Sequence, residues 1–463
     1  MGKMPTPAAL AVGAAVVAVA LVAAACTSSS AAPSASVPSR RSTTAPALSV
    51  AATPPGPVPA QYAALYVQLS AGLDSYQAAV AAMPDYRATG PSAPSFHPAA
   101  ELLDANGNQQ AKLLAPGALT RVEGELDAFQ RLGVTGVTIG IKLPLLLSQY
   151  TPRAANYADF YAAVARQARE RGFTIDVELG GLFCGTAFST CSYNYPSTVA
   201  GWAQLSAEQA KIVIARVHPD FLDILSEPNT EANLTKIPAL ETQAGVVEFI
   251  NDTLAGIGAH RSTEIGAGAA SWFPISYDEA IARTGVNVLV EHIYPLSPQI
   301  SATIVATAEL ANQVHKPIVA DEVWLYKGTT TLGANVTQSS TESKLDAYSF
   351  FEPLDQRFLT ITRQWSMKAD VSFTSAFWSW QLFNYVAWTP ALDAGSVDQT
   401  LGLLYQGAQQ AIGHGEASTS GRVWVPAGCP SGAEAANAYV PFKKKRRSGG
   451  AHPARGKGVP AVG

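Results

Sequence analysis

The stretch Phe-Leu-Asp-Ile-Leu-Ser-Glu-Pro-Asn-Thr, residues 221–230, changes from an apolar run to a carboxylate followed by a proline. A second stretch, Pro-Ile-Val-Ala-Asp-Glu-Val-Trp-Leu-Tyr at 317–326, makes a similar change at Glu322. Short apolar runs that end in polar residues are typical of parallel strands covered on both faces. Both stretches therefore predict buried strands, with Glu227 and Glu322 at their carboxyl ends.

Outward from these stretches, strand-like and helix-like segments alternate over most of the chain. The run Val-Asn-Val-Leu-Val at 286–290 is nearly all apolar, and residues 157–168 carry apolar side chains at helical spacing. Eight strands alternating with eight helices predict a closed (β/α)8 TIM barrel. The alternative is an open doubly wound sheet, but the sequence has neither Gly-rich nucleotide motif that would accompany one. We expect strands near 98–104, 134–142, 173–181, 221–227, 263–270, 286–294, 317–324 and 371–380, and helices near 119–131, 155–171, 200–217, 239–257, 276–284, 302–315, 344–367 and 398–412.

The N-terminus, residues 1–26, has the form of an export signal. Lys3 precedes an apolar stretch, and small residues lead to Cys26. This arrangement resembles a bacterial lipoprotein signal with a lipidated Cys26, although Leu21 lies five residues before the cysteine rather than three. An ordinary cleaved signal and an uncleaved anchor are the alternatives. We expect an exported protein, attached by lipid to the outer face of a bacterial membrane.

Composition divides the rest of the chain. Residues 27–58 are rich in Ser, Ala, Pro and Thr without an apolar period, which predicts a disordered tether. Apolar residues spaced by three and four over 61–83 predict an extra helix at the start of a catalytic domain spanning 59–414. Residues 415–463 predict a flexible Gly/Ser-rich tail that ends with a basic run, for which attraction to anionic lipid or cell-wall polymer is an alternative to simple solvation.

The charge and the cysteines limit the possible partners. A net charge of −4 over 463 residues indicates no nucleic-acid partner, and no motif indicates a cofactor. Cys184 and Cys191 predict a disulfide in one loop, because no His or Cys at metal-ligand spacing accompanies them. Cys429 is left without an evident partner, and the sequence does not indicate an oligomeric state.

The working face of such a barrel lies at the carboxyl ends of its strands. Alternation along a strand places His292 and Tyr294 on one side, and likewise Trp378 and Trp380. It places Asp321 opposite Glu322, which predicts a buried or helix-facing structural carboxylate. Aromatic faces beside polar groups suit sugar rings, so the predicted substrate-binding residues are Asp104, Asn106, Lys142, Ser226, Asn229, Trp272, His292, Tyr294, Trp324, Trp378 and Trp380.

Over residues 95–412 this constellation resembles glycoside hydrolase clan A, the retaining (β/α)8 glycosidases. The clan's Asn-Glu-Pro on the fourth strand is matched by Ser226-Glu227-Pro228, and its seventh-strand nucleophile by Glu322. A sixth-strand His-x-Tyr is matched at 292–294, and an eighth-strand aromatic at Trp378 or Trp380. The chain departs from the clan in two places: Ser226 replaces an Asn that contacts the sugar 2-hydroxyl, and Lys142 stands where an Arg is common.

The resemblance implies cleavage of a β-linked oligo- or polysaccharide by double displacement. Glu322 would attack the anomeric carbon and Glu227 would donate and later accept the proton, with the carboxyl groups about 5–5.5 Å apart. Tyr294 would hydrogen-bond Glu322. A non-catalytic carbohydrate-binding lipoprotein is the alternative. A metal-dependent hydrolase is a weaker one, since the sequence offers no evident His/Asp ligand set.

Overall fold

In a computed structural model, the described residues are 49–50, 55–86, 96–184, 191–259, 262–293, 297–328 and 340–425. The predicted signal segment with Cys26, nearly all of the tether, Tyr294, Cys429 and the chain beyond 425 lie outside these residues.

The described residues form a closed barrel of eight parallel strands, in which each strand pairs with the next and the last closes onto the first. The predicted TIM barrel and all eight predicted strands are therefore confirmed. The strands are β1 (Pro98–Glu101), β2 (Gly136–Leu143), β3 (Thr174–Gly181), β4 (Phe221–Asp223), β5 (Glu264–Ala267), β6 (Val288–Ile293), β7 (Ile318–Val323) and β8 (Phe373–Ala376).

Helices alternate with these strands and pack around them. The described α-helices are α1 (Ala63–Ala82), α2 (Ala118–Leu132), α3 (Ala154–Glu170), α4 (Val199–Arg216), α5 (Pro228–Thr235), α6 (Gln243–Ile257), α7 (Ser276–Ala282), α8 (Pro298–Val314), α9 (Ser340–Ala347), α10 (Glu352–Ala369), α11 (Pro390–Asp393), α12 (Val397–His414) and α13 (Thr419–Trp424). Short 3₁₀ helices include Leu103–Ala105, Pro238–Glu241 and Ser379–Leu382. Among the described residues, no helix has both the length and the apolar character needed to cross a bilayer.

The structure departs from the predicted elements where short turns interrupt a pattern. Strand β1 ends at Glu101 and β8 ends at Ala376, because in each case the chain then enters a 3₁₀ helix. Helix α5 was not predicted, since it is only eight residues long and follows the strand β4 almost at once. The helix predicted at 344–367 is two helices, and Pro353 lies at the start of the second.

The interior of the barrel has an apolar floor and a polar upper half. Side chains near the strand starts form one buried apolar cluster, in which the rings of Phe221 and Phe373 lie 5.9 Å apart. The inward residues further along the strands are mostly ionisable. The floor consists of Ala99, Phe221, Val288, Val290, Val319 and Phe373.

The boundaries predicted for the tether and the tail are wrong where the two segments meet the domain. Ser49–Val50, predicted as tether, pairs in parallel with Glu416–Ala417, predicted as tail. Helix α13 follows, and its Trp424 is fully buried, donates a hydrogen bond from Nε1 to the carbonyl of Ala99 at 2.9 Å, and packs edge-on against Phe96. The segment 415–425 therefore belongs to the folded domain.

Trp424→Ala should lower the free energy of unfolding by about 3–5 kcal/mol, because it empties a filled site beside β1 and removes a buried hydrogen bond. Chemical denaturation followed by circular dichroism measures the change. The control Leu403→Ala removes a side chain that is 43% exposed and should cost far less. Equal losses in the two variants would contradict the docking of α13.

Candidate active site

Glu227 lies at the junction between β4 and α5. It occupies the residue before the helix, and Pro228 is the first helical residue. The Thr230 hydroxyl, one turn along, donates to Glu227 Oε2 at 2.5 Å. The carboxyl group is therefore held at a fixed place above the end of β4.

Glu322 lies in β7, where the register of the strand shifts against both neighbours. Val290 pairs with Val319 and His292 with Glu322, so β7 carries one residue more than β6 over this interval. The same extra residue is present in its pairing with β8. An extra residue of this kind is a β-bulge, which redirects side chains.

Because of the bulge, the prediction that Asp321 points away from Glu322 is wrong. Both carboxylates contact the same His292 ring: Glu322 Oε2 lies 3.4 Å from Nδ1, and Asp321 Oδ1 lies 3.2 Å from Nε2. The prediction that Asp321 is buried is confirmed, since it is 1% exposed.

His292 connects the two glutamates. Its Nδ1 lies 2.9 Å from Glu227 Oε1 in addition to its contact with Glu322, and the residue is only 1% exposed. One oxygen of Glu227 and one of Glu322 lie within 4.8 Å of each other. The structure thus brings Glu227, His292 and Glu322 together at the carboxyl ends of β4, β6 and β7.

Below and beside these residues lies a group of buried acids that we call the carboxylate cluster. Lys142 at the end of β2 balances part of its charge, with Nζ 2.5 Å from Glu178 Oε1. The sequence predicted that Lys142 contacts substrate. In the structure the residue is 4% exposed and pairs with an acid of the cluster. The carboxylate cluster comprises Glu101, Asp176, Glu178, Asp223, Asp321 and Glu322.

The cluster shifts the ionisation of its members. Burial raises the pKa of Glu322 well above its ordinary value; His292 opposes this shift, and Glu227 and other carboxylates add to it. Burial alone would lower the pKa of His292, but Glu322 and Asp321 outweigh burial and raise it well above its usual range. The carboxylates that contact His292 therefore favour the charged form of its ring.

The same residues have the spacing of possible cation ligands. Nitrogen and oxygen atoms within 4.8 Å of one another occur in two sets, Asp223–His292–Asp321 and Glu227–His292–Glu322. The sequence offered no evident His/Asp ligand set for a metal-dependent hydrolase, but the structure contains two sets with suitable spacing. In this structure the ring nitrogens of His292 contact carboxylates of both sets directly.

The predicted aromatic residues form a wall that is more deeply buried than expected. Trp324 and Trp378 meet edge to face at 5.9 Å and are 6% and 7% exposed. Trp378 and Trp380 do not share a strand face, because β8 has already ended, and Trp380 packs on Tyr405 at 4.9 Å. Trp272 and Trp380 are only partly buried and offer more ring surface than the other two.

The remaining predicted site residues do not all lie in the same part of the barrel. Asn229 is buried and accepts a hydrogen bond from Trp272 Nε1 at 3.2 Å, while Asn106 donates to Glu101 Oε1 at 2.6 Å. Ser226 bonds to Asp223. Asp104 instead contacts Arg121 and Gln409 of α2 and α12, away from the glutamates.

The loop after β3 contains the predicted disulfide. Cys184 and Cys191 are bonded, as their spacing predicted.

Sequence reasoning missed most of the carboxylate cluster, although a signal was present. In Ile-Asp-Val-Glu-Leu (175–179), Asp176 and Glu178 alternate with apolar residues inside a buried strand. Their spacing of two directs both side chains to the barrel interior, and Asp223 does the same in β4. Acidic residues at the inward-facing positions of buried strands indicate a polar barrel interior.

Comparisons with known proteins find solved structures of low similarity. No protein-family model matches the chain, and no curated protein does. A GH5_18 protein from Bifidobacterium longum subsp. longum, solved with Manb1-4GlcNAc, is 14% identical with a TM-score of 0.47, covering 74% of this chain and 78% of that one. A GH5_18 protein from Streptomyces cattleya, solved with GlcNAc, is 15% identical with a TM-score of 0.41, covering 70% and 81%. Cel5A from Thermotoga maritima, solved with mannotriose, is 12% identical with a TM-score of 0.41, covering 69% and 98%.

The stability of the protein should fall as pH rises, and Glu101→Gln should reduce the loss. Burial raises the pKa of Glu101 to about 8, so the folded state keeps a proton that the unfolded chain releases near pH ~4. The contribution of Glu101 to the free energy of unfolding is complete below the pKa of the unfolded chain and is lost as the pH rises to about 8. Between these two pH values, the free energy of unfolding of Glu101→Gln should rise relative to that of wild type by on the order of 3–5 kcal/mol.

Urea denaturation across this pH range measures the difference. The exposed Glu248→Gln should follow wild type at every pH. A constant offset between Glu101→Gln and wild type would show that Glu101 is ionised throughout.

Proposed function

We propose that this chain is a retaining glycoside hydrolase that cleaves a β-linked oligo- or polysaccharide. The observation that carries the proposal is the approach of Glu227 and Glu322 within 4.8 Å, at the carboxyl ends of β4 and β7. Retaining enzymes place their two carboxyl groups about 5–5.5 Å apart, and inverting enzymes about 6.5–9.5 Å. The approach of one oxygen from each residue supports retention, since inverting enzymes hold their carboxyl groups further apart to admit a water.

In the proposed mechanism, Glu322 attacks the anomeric carbon while Glu227 protonates the departing oxygen. Glu227 then removes a proton from water, and the hydroxide displaces Glu322 from the sugar. The first step needs a protonated Glu227 and a charged Glu322. Because burial favours the protonated form of Glu322 in the free protein, Glu322 has to lose its proton before the attack. Nδ1 of His292, 2.9 Å from Glu227 and 3.4 Å from Glu322, lies between the two.

Glu227→Ala and Glu322→Ala should each lower kcat/KM by at least about 10³-fold with the fold intact, because each removes a group that acts on the reacting bond. Azide separates the roles. It should rescue Glu322→Ala to a glycosyl azide of inverted anomeric configuration, and Glu227→Ala to one of retained configuration. The assay uses aryl β-glycosides, with product configuration read by NMR.

Glu248→Ala removes an exposed glutamate of α6 and should leave kcat/KM unchanged. Near-wild-type turnover in either site variant would exclude the mechanism. The opposite pattern of azide products would exchange the roles of the two glutamates.

A second candidate is a non-catalytic carbohydrate-binding lipoprotein. Ser226 favours it, because this residue is 4% exposed and its hydroxyl bonds to Asp223 instead of being available to a sugar. Such a protein would bind oligosaccharide equally well before and after Glu322→Ala, without turnover in either form.

We also propose that the chain is exported and anchored by a lipid on Cys26. Cys26→Ser should lose incorporation of a labelled fatty acid and move from the membrane to the soluble fraction, because the thiol is the attachment point. Cys429→Ser is the matched control and should stay membrane-bound and labelled. A Cys26→Ser protein that remains in the membrane fraction would indicate an uncleaved anchor.

A further inference from the structure

Asp321 contacts the ring of His292. Its Oδ1 lies 3.2 Å from Nε2 of His292, while the other ring nitrogen faces Glu227 and Glu322. The carboxylate therefore lies at one edge of the imidazole and the two glutamates at another. Asp321 reaches this place through the bulge of β7, which a regular strand would not provide.

The setting makes this contact strong. Asp321 and His292 are each 1% exposed, so no bulk water competes for the ring. Nε2 and Oδ1 are 3.2 Å apart, and opposite charges at this distance attract each other more strongly in a buried site than in water. With Nε2 bound to a fixed carboxylate, the ring cannot rotate without leaving a buried charge unpaired.

We propose that Asp321 is a positioning residue for acid–base catalysis, holding the His292 ring so that Nδ1–H is donated to Glu227. This inference rests on the proposed function and deepens it. Asp321 does not touch the sugar. It acts through His292, as the aspartate of a catalytic triad acts through its histidine.

The protonation of the ring follows from these contacts. A neutral imidazole has one N–H and can donate to Asp321 or to Glu227, whereas an imidazolium donates to both. The carboxylates around the ring come from β3, β4, β6 and β7. They are Asp223 and Glu227 at β4, Glu291 in β6 itself, and Asp321 and Glu322 in β7, with Asp176 and Glu178 of β3 in the same cluster.

The imidazolium would help both halves of the reaction. When Glu227 gives its proton to the leaving oxygen it becomes a carboxylate, and Nδ1–H then faces the new charge at 2.9 Å. In the second half, the same hydrogen bond holds Glu227 in place to accept a proton from water. The His292 proton stays on the ring throughout, so the ring neither gives nor takes a proton in the reaction.

The test compares Asp321→Asn with Asp278→Asn. Asp278 of α7 is 1% exposed, as Asp321 is, but accepts a hydrogen bond from the Thr307 hydroxyl and lies outside the carboxylate cluster. Asp321→Asn should lower kcat about 10–100-fold with little change in KM, since misplacing a catalytic group costs up to about 100-fold. It should also shift the pH profile of kcat/KM, and Asp278→Asn should do neither.

The second measurement does not depend on activity. In ¹⁵N NMR of the wild type, with the His292 signals assigned by their loss in His292→Gln, both ring nitrogens should be protonated at neutral pH. In Asp321→Asn the ring should deprotonate at a lower pH than in wild type, because a stabilising negative charge has gone. The wild-type spectrum tests the proposal even if Asp321→Asn does not fold.

Three results would overturn the inference: a neutral His292 ring in wild type, equal effects of the two Asn variants, or ring signals that change when a chelator is added. The last would mean that a cation, not a proton, links Asp321 to His292. If Glu227→Ala keeps full activity, the proposed function fails instead, and the NMR result still decides whether Asp321 orients the ring.

Discussion

The contact of one buried imidazole with three carboxylates is the constraint on which the site depends. His292 joins Glu227 at the end of β4 to Asp321 and Glu322 in β7, within the buried interior of the barrel. Three strands have to end at compatible heights for this contact to form. A shift of one residue in any of them would leave an acid buried without a partner, which costs several kcal/mol.

This constraint explains why the barrel interior divides into two halves. The apolar floor fills the space near the strand starts and closes the barrel from below. The carboxylate cluster above it opposes folding, because burial raises the pKa of Glu101, Asp176, Asp223 and Glu322. The large apolar cluster between strands and helices has to offset that cost. Retaining so many acids at the working end is consistent with a site kept for function at the expense of stability.

The sequence predicted the barrel because its strands are continuous apolar runs and its helices have a clear period, signals that come from burial itself. It also placed Glu227, His292 and Glu322 at one end of the barrel, since the carboxyl ends of parallel strands converge there. It failed on Asp321, because simple alternation assumes a regular strand and no residue marks the bulge. Trp378 and Trp380 were assigned to one face for the same reason, although a 3₁₀ turn separates them. Lys142 appeared available to substrate because its partner, Glu178, lies on a different strand.

The central claim is that Glu227 and Glu322 act on one sugar from opposite sides of a gap spaced for retention. Incubation with an activated 2-deoxy-2-fluoro β-glycoside, followed by proteolysis and mass spectrometry, tests it most directly. The account predicts a single covalent glycosyl adduct on Glu322, formed with loss of activity and absent from Glu322→Ala. An adduct on another residue, or release of product with inverted configuration and no adduct, would contradict it.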